Sequence, residues 1–527
     1  QTHSQLSLSL FSIAAEAEGS QMHEDEMKKY GSEVLKQDHI PLFDKMRIYR
    51  AYLSFLGLGQ QGRAKEAVEL CLDVLGQLGC HFPRTAFMRT MKLISHLMKH
   101  KRELPKRTAE EVAGLPILTS RRLREIDSIL NELGIHAYVA GRTILSGLCT
   151  MKQTSMTLKH GIHDAAHEGF SSLAPFFMVA FGDLEATDRV AHYATLLKER
   201  VHGSRSVSGF CMMQGSFSLP WTHPWSVTLK ALLEGYECGM RDGELRNAIY
   251  CISSYLCVEL ISGVRLDTLR HNIDIYLRHT TELNTGYPLT FILMLQGATE
   301  LLLDNDSSAT SSATDHVLVN AYEPTVKDDD YMMAMLYVFQ GSVYHAWGDY
   351  GIGLVLALKT GILSDKLLSH SANMPCLFYQ GFAFYASAQK SSQIMERRRL
   401  KRQGMKRHDI LKGWVKGGCC NVAHYVAMLD AELAVLNGTK KAVVEELYQK
   451  TIVLAARGGW VQDAATANER LALYFRDQGD TVDAGWRFQQ AIGYYEDWGF
   501  RAKAALLRKE NMDSIERWSS SRRVSSS

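Results

Sequence analysis

His163 and His167 in the string HDAAH are four residues apart, and this spacing predicts two imidazoles on one helix face, the arrangement that grips zinc in H-E-x-x-H proteases. Asp164 replaces the longer Glu that serves those enzymes as general base, and the sequence offers no third ligand. Ordinary groove or surface histidines are therefore the favoured reading. No metal or cofactor is expected, and a metal-dependent enzyme using His163 and His167 is kept only as the remotest alternative.

The strongest local charge feature is Arg397, Arg398, Arg399, Lys401, Arg402, Lys406 and Arg407, seven cations within eleven residues. Such a cluster suits an acidic partner, nucleic acid or a nuclear import receptor, while a solvated, irregular connection is the plain alternative. Arg522, Arg523 and Val524 precede Ser525, a pattern basophilic kinases accept, so Ser525 is a possible phosphosite. Nucleotide chemistry is missing. The nearest string to a phosphate loop, 353–360, ends in Lys359 and Thr360 but lacks the second glycine and reads as helix interior, where backbone amides cannot cradle a phosphate. Neither kinase signatures nor a G-x-S-x-G elbow occur. The chain reads as non-catalytic.

These residues must be carried by helices. Over 527 residues there are only 10 prolines, the residue helix interiors tolerate least, and 46% of residues are hydrophobic against 22% charged. A net charge of +2 excludes a global field for nucleic acid, so any such contact is local. The ten cysteines form no CxxC pair, which fits reduced thiols in a cytoplasmic protein, with nuclear import through 397–407 as a variant. No apolar run is long enough to span a membrane. The chain starts at Gln1 and is expected to be a piece of something longer.

Apolar residues recur at spacings of three and four, then stop at glycine-containing turns: after 59–62, at Gly182-Asp183, Asp242-Gly243, Gly348-Asp349 and Gly479-Asp480. Around these turns Ala67, Tyr337, Gly341, Tyr344, Leu471, Ala472, Phe475, Ala484, Phe488 and Ala491 fall where a tetratricopeptide unit alternates small and large packing residues. A single hairpin cannot bury its apolar face, so neighbours must stack. The expected fold is all-α, an α-solenoid of tetratricopeptide-like helical hairpins. Expected divisions are a flexible lead-in 1–20, a helical subdomain 21–303, a Ser/Thr-rich hinge 304–316, a second helical subdomain 317–514 and a Ser/Arg tail 515–527.

Four segments, 62–83, 229–269, 408–438 and 455–507, resemble in order the tetratricopeptide-like helical region of multidomain signalling P-loop (STAND/AAA-like) ATPases, the kind fused to serine/threonine kinase or histidine kinase modules. The last segment is the most specific, with its Gly-aromatic start, Ala-rich helix, glycine turn and Trp498-Gly499-Phe500 ending. Cys419 and Cys420 depart from the small residue and proline usual before Asn421. The resemblance implies a scaffold whose partners are proteins, including an attached ATPase or kinase module that the array regulates. A free-standing tetratricopeptide-like adaptor is the alternative.

Overall fold

The computed structural model describes the chain except for residues 1, 22, 59–62, 201–206, 284–285, 304–316, 362–366, 368 and 526–527, and except for the side chains of 2–4, 287 and 522–525. Among the described residues the chain is helical throughout. No strand forms among those residues, where one isolated bridge pairs Ile117 with Ile162. No described helix is long and apolar enough to cross a membrane. The fold is all-α, an α-solenoid of helical hairpins.

Two compact units divide the chain in interleaved segments: 1–219, 230–254 and 277–291 form the first, and 220–229, 255–276 and 292–527 the second. The expected hinge, 304–316, lies outside the described residues, as does the turn at 59–62. In order, the first unit contains α1 (Thr2–Ser20), α2 (Glu24–Leu35), α3 (Leu42–Leu58), α4 (Ala64–Gln77), α5 (Ala86–Glu103), α6 (Ala109–Ala113), α7 (Arg121–Val139), α8 (Thr143–His160), α9 (Ala166–Phe181) and α10 (Leu184–Arg200). After α11 (Val207–Met213) and α12 (Leu219–Thr222) come α13 (Trp225–Asp242), α14 (Leu245–Ser262), α15 (Leu266–Glu282) and α16 (Gly286–Leu303). The second unit continues through α17 (Val317–Val326), α18 (Asp330–Trp347), α19 (Tyr350–Thr360), α20 (Asn373–Lys390), α21 (Ile394–Lys416) and α22 (Ala423–Leu436). It ends with α23 (Lys441–Gly458), α24 (Val461–Asp477), α25 (Thr481–Trp498), α26 (Arg501–Glu510) and α27 (Met512–Ser525).

Turn chemistry sets the repeat. Gly479 has φ +84°, a left-handed conformation that costs a side chain about 1–2 kcal/mol but glycine nothing. With Gly479 so placed, the Asp480 amide reaches back to the Phe475 carbonyl at 2.9 Å, closing the end of α24. The same amide-to-carbonyl bond, five residues back, follows Gly348, Gly438, Gly459 and Gly499. Gly438 and Gly479 are 41 residues apart (479 − 438), as are Gly418 and Gly459 (459 − 418). Between 418 and 479 the repeat is thus longer than the 34-residue tetratricopeptide unit. Between turns, Ala464, Leu471, Ala472 and Phe475 of α24 bury against Ala484, Phe488 and Ala491 of α25.

Three expected irregular segments are helices. Of the expected lead-in, residues 2–20 form α1, which packs on α2 and α3, and its Ala15 is fully buried in the core with Met27 and Leu53. Burial of the small residues Ser12, Ala15 and Gly19 supplies what the sequence lacks in amphipathic pattern. Residues 515–525 of the expected tail belong to α27, which packs on α25 so closely that a Cβ on Gly485 would run into the carbonyl oxygen of Ser514. The basic zone from Arg397 to Asp409 lies inside α21, since Arg, Lys, Leu and Met are strong helix formers and Gly404 fits beneath the ring of Tyr385.

Gly341 and Gly485 behave differently. A Cβ at Gly341 would sit 3.6 Å from Leu356 Cδ2, an ordinary contact. Gly341→Ala is therefore expected to stabilise by about 0.5–1 kcal/mol through helix propensity. Gly485→Ala, and Ala472→Trp in its filled site, should each destabilise by about 1–3 kcal/mol. Urea midpoints of the three variants check this ordering, and a destabilised Gly341→Ala would contradict it.

Candidate functional site

His163 and His167 do not share a helix face. Gly161, at φ +108°, breaks the chain after α8, and Ile162 pairs with the 116–118 segment, its amide donating to the Pro116 carbonyl and its carbonyl accepting from the Leu118 amide. α9 starts only at Ala166, so His163 precedes the helix while His167 lies in its first turn. Both are buried. The His167 ring packs edge-on against Phe210, whereas His163 turns toward Asp127, with Nε2 3.2 Å from its carboxylate and Nδ1 3.5 Å from that of Asp164. Among the described residues no group of three or more His, Cys, Asp or Glu could hold a metal ion.

His163 opens onto a polar cleft of about 660 Å³ in the first unit, bordered by α3, α7, the start of α9 and the start of α14. Its walls are charged, and two ion pairs join them. Arg246 clasps Glu132 through two bonds of 2.6 and 2.9 Å, and Arg50 meets Glu125 at 2.6 Å. Burial opposes ionisation of Glu132, yet the attraction and hydrogen bonds of Arg246, with His136 beside them, hold its carboxyl well below the usual range. For His163, burial alone would lower the pKa; Asp127 and Asp164 more than offset it and push it up to about 9. The Ala165 amide points at Nδ1 at 3.2 Å, which in the neutral ring leaves the proton on Nε2 facing Asp127. A ring this readily protonated is a poor general base near neutral pH. The cleft's geometry is that of charge pairs holding distant helices together, and Glu132 and Arg246, 114 residues apart, leave no local sequence signal.

The second unit contains a deeper network. Glu432 is wholly buried on α22, accepts both guanidinium bonds of Arg470 from α24 at 2.8 Å each, and accepts the Tyr448 hydroxyl at 2.7 Å. Gln389 of α20 bridges Glu432 and Arg470. The guanidinium also lies over the rings of Tyr350 and Phe382. His345 sits in the same neighbourhood, ringed by Tyr350, Phe378, Tyr379 and Phe382 and, among the described residues, with no hydrogen-bond partner on either nitrogen. Burial, with Arg470 and Lys503 nearby, pushes its pKa down to about 3.

The named packing residues lie in the array's interior: Ala67, Leu471, Ala472, Ala484, Phe488 and Ala491 are fully buried, Tyr337, Tyr344 and Phe475 nearly so, and Gly341 is half-buried. The seven cations divide between two edges of α21. Arg397 donates to the Leu436 carbonyl, Lys401 to Asn437, and Arg407 to Gln380 and Gln403 while lying over Phe384. Arg398, Arg399, Arg402 and Lys406 face outward and line a shallow groove with Met395. Glu396, 4.0 Å from Arg399, lines the same groove, and exposed Asp409 follows Lys406 by three residues on that face. Ser525 ends α27, and its side chain is outside the described residues.

No family model matches the chain, and no curated protein matches it. A solved structure described as "Circular tandem repeat protein with novel repeat topology and enhanced subunit contact surfaces" is 11% identical over 99% of both chains, with a TM-score of 0.14. A likeness at that score carries no argument about this chain.

Two outcomes follow from the buried charges. Glu432→Ala strands the Arg470 guanidinium and is expected to cost roughly 3–5 kcal/mol, read as a lower urea midpoint. The histidines shape the pH profile in opposite senses. His100, His345 and His370, pushed down to about 4, 3 and 4 by burial, bind protons more readily when unfolded, so stability falls as pH drops below 6.5. His163 is raised, so its contribution is complete below 6.5 and is lost as pH rises through about 9. Urea midpoints at pH 4.5, 6.5 and 8.5 should peak at the middle value, and His163→Gln should flatten the alkaline limb. A midpoint still rising from pH 6.5 to 8.5 would contradict the His163 assignment.

Proposed function

We propose that the chain is a non-catalytic helical-repeat region that mediates protein–protein interaction and, within a larger protein, regulates an attached ATP-binding or kinase module. The observation that carries this reading is the outward face of α21. Its inner edge is locked by Leu400, Gly404, His408 and Leu411, all buried, and by the hydrogen bonds of Arg397 and Arg407. Arg398, Arg399, Arg402 and Lys406 are thereby presented on a rigid support, at a low entropic cost of binding. Such a face suits an acidic surface of a partner protein. The regulatory part rests on the resemblance to signalling ATPases. An array can bias a module between two states by spreading modest contacts over many helices, and a shift from 1:99 to 99:1 needs a preference of about 5.5 kcal/mol.

The test measures ATP turnover or kinase output of the longer protein with residues 1–527 intact, deleted, or carrying Arg398→Glu with Arg402→Glu. Deletion should raise basal output, and the charge reversal should move output in the same direction without lowering the urea midpoint. The isolated chain should show no ATP turnover. Output unchanged by both alterations would reduce the array to a spacer.

A further inference from the structure

Helix α5 exposes a row that its packing does not use. Phe87, Met91, Ile94 and Met98 are 75%, 52%, 49% and 53% exposed and follow one another at i, i+4, i+7 and i+11, so they form one stripe along the helix. Met88, also exposed, widens it at the N-terminal end. The opposite edge is anchored: Leu97 and His100 are buried, α5 packs on α8, and the Thr85 hydroxyl caps the first turn by accepting from the Met88 amide. The stripe is therefore a fixed feature of a folded helix. At its C-terminal end Lys101 lies over the ring of Phe181, the last residue of α9, at 3.7 Å.

The charge around the stripe has one sign. From residue 84 to residue 107 there are eight Lys and Arg against a single acid, Glu103. Lys92, Lys99 and Arg102 are exposed beside the stripe, and Lys92 and Lys99 form no ion pair among the described residues. This concentration stands out in a chain whose net charge is only +2.

The geometry points to an anionic lipid surface as the occupant of α5: the helix lies along the bilayer interface with Phe87, Met91, Ile94 and Met98 among the acyl chains and its cations on the lipid phosphates and carboxylates. Three observations favour this occupant. A row of cations beside exposed phenylalanine and methionine matches the demands of an interface that is apolar inside and negative at its rim. The buried opposite edge, Leu97 and His100, holds Phe87, Met91, Ile94 and Met98 outward along about three helical turns, a long flat row suited to a planar surface. A second copy of this chain would set like charge against like. The contact is peripheral and reversible, and it goes beyond the scaffold reading without depending on it.

The full chain is spun down with sucrose-loaded vesicles of phosphatidylcholine with 30 mol% phosphatidylserine, and with pure phosphatidylcholine, at 0.1 M salt. Wild type is expected to partition onto the anionic vesicles about tenfold or more better than onto the neutral ones, and raising the salt should weaken it. Phe87→Ser with Met91→Ser, and separately Lys92→Glu with Lys99→Glu, should each lower anionic partition by about tenfold or more. Val443→Ser with Val482→Ser, exposed in the second unit, should not. Circular dichroism confirms that the variants fold. Wild type left in the supernatant overturns the proposal and leaves the stripe to a protein partner. Equal partition onto neutral vesicles, or loss with the lysine pair alone while the Phe87/Met91 pair binds like wild type, also overturns it, the latter marking a general polyanion site.

Discussion

Everything in this chain depends on stopping a helix at a set length and turning it back. A hairpin hides its apolar stripe only if the second helix returns along the first, and the return requires a residue in the left-handed region where side chains clash. Glycine at 348, 438, 459, 479 and 499 meets that requirement, and the amide after each closes onto the carbonyl five residues earlier. Once the turns are fixed, the small and large residues between them fall into register. A loss of turn geometry would misplace whole helices, whereas a change at a tolerant contact such as Gly341 would stay local.

The second constraint is electrostatic. Burying Glu432 and Arg470 in an array of apolar stripes is costly unless each satisfies the other, and the pair is satisfied from three helices plus the Tyr448 hydroxyl. Glu132 and Arg246 do the same in the first unit. These pairs fix which helices may be neighbours more sharply than interchangeable Ala and Leu contacts can, because a shift of one helical turn would strand a charge. The interior is therefore devoted to specificity of packing, and the chemistry open to partners lies on outward helix faces such as those of α5 and α21.

Much of this was legible in the chain's own order. Proline scarcity, apolar spacing and glycine turns are local properties, so the all-α fold and the turns at Gly182, Gly243, Gly348 and Gly479 could be read directly. Local pattern failed where tertiary burial overrode it. Ala15 gives α1 no amphipathic signature yet is wholly buried, and residues 515–525, which read as tail, belong to α27, a helix that packs on α25. The HDAAH string has helical spacing, but Gly161 and the pairing of Ile162 with the 116–118 segment hold His163 outside α9. Spacing cannot report a turn imposed by a partner some 45 residues away.

The sequence by itself determined the element type and the repeat, because helix propensity and the left-handed requirement at turns act within a few residues of each glycine. Only the tertiary structure decided which polar residues meet and which faces remain open. Glu132 finds Arg246 and Glu432 finds Arg470 across long separations, and the exposure of Phe87, Met91, Ile94 and Met98 depends on no described helix covering that face of α5. An apolar stripe on a helix reads the same whether it is core or surface. What lies over it is a property of the packed array.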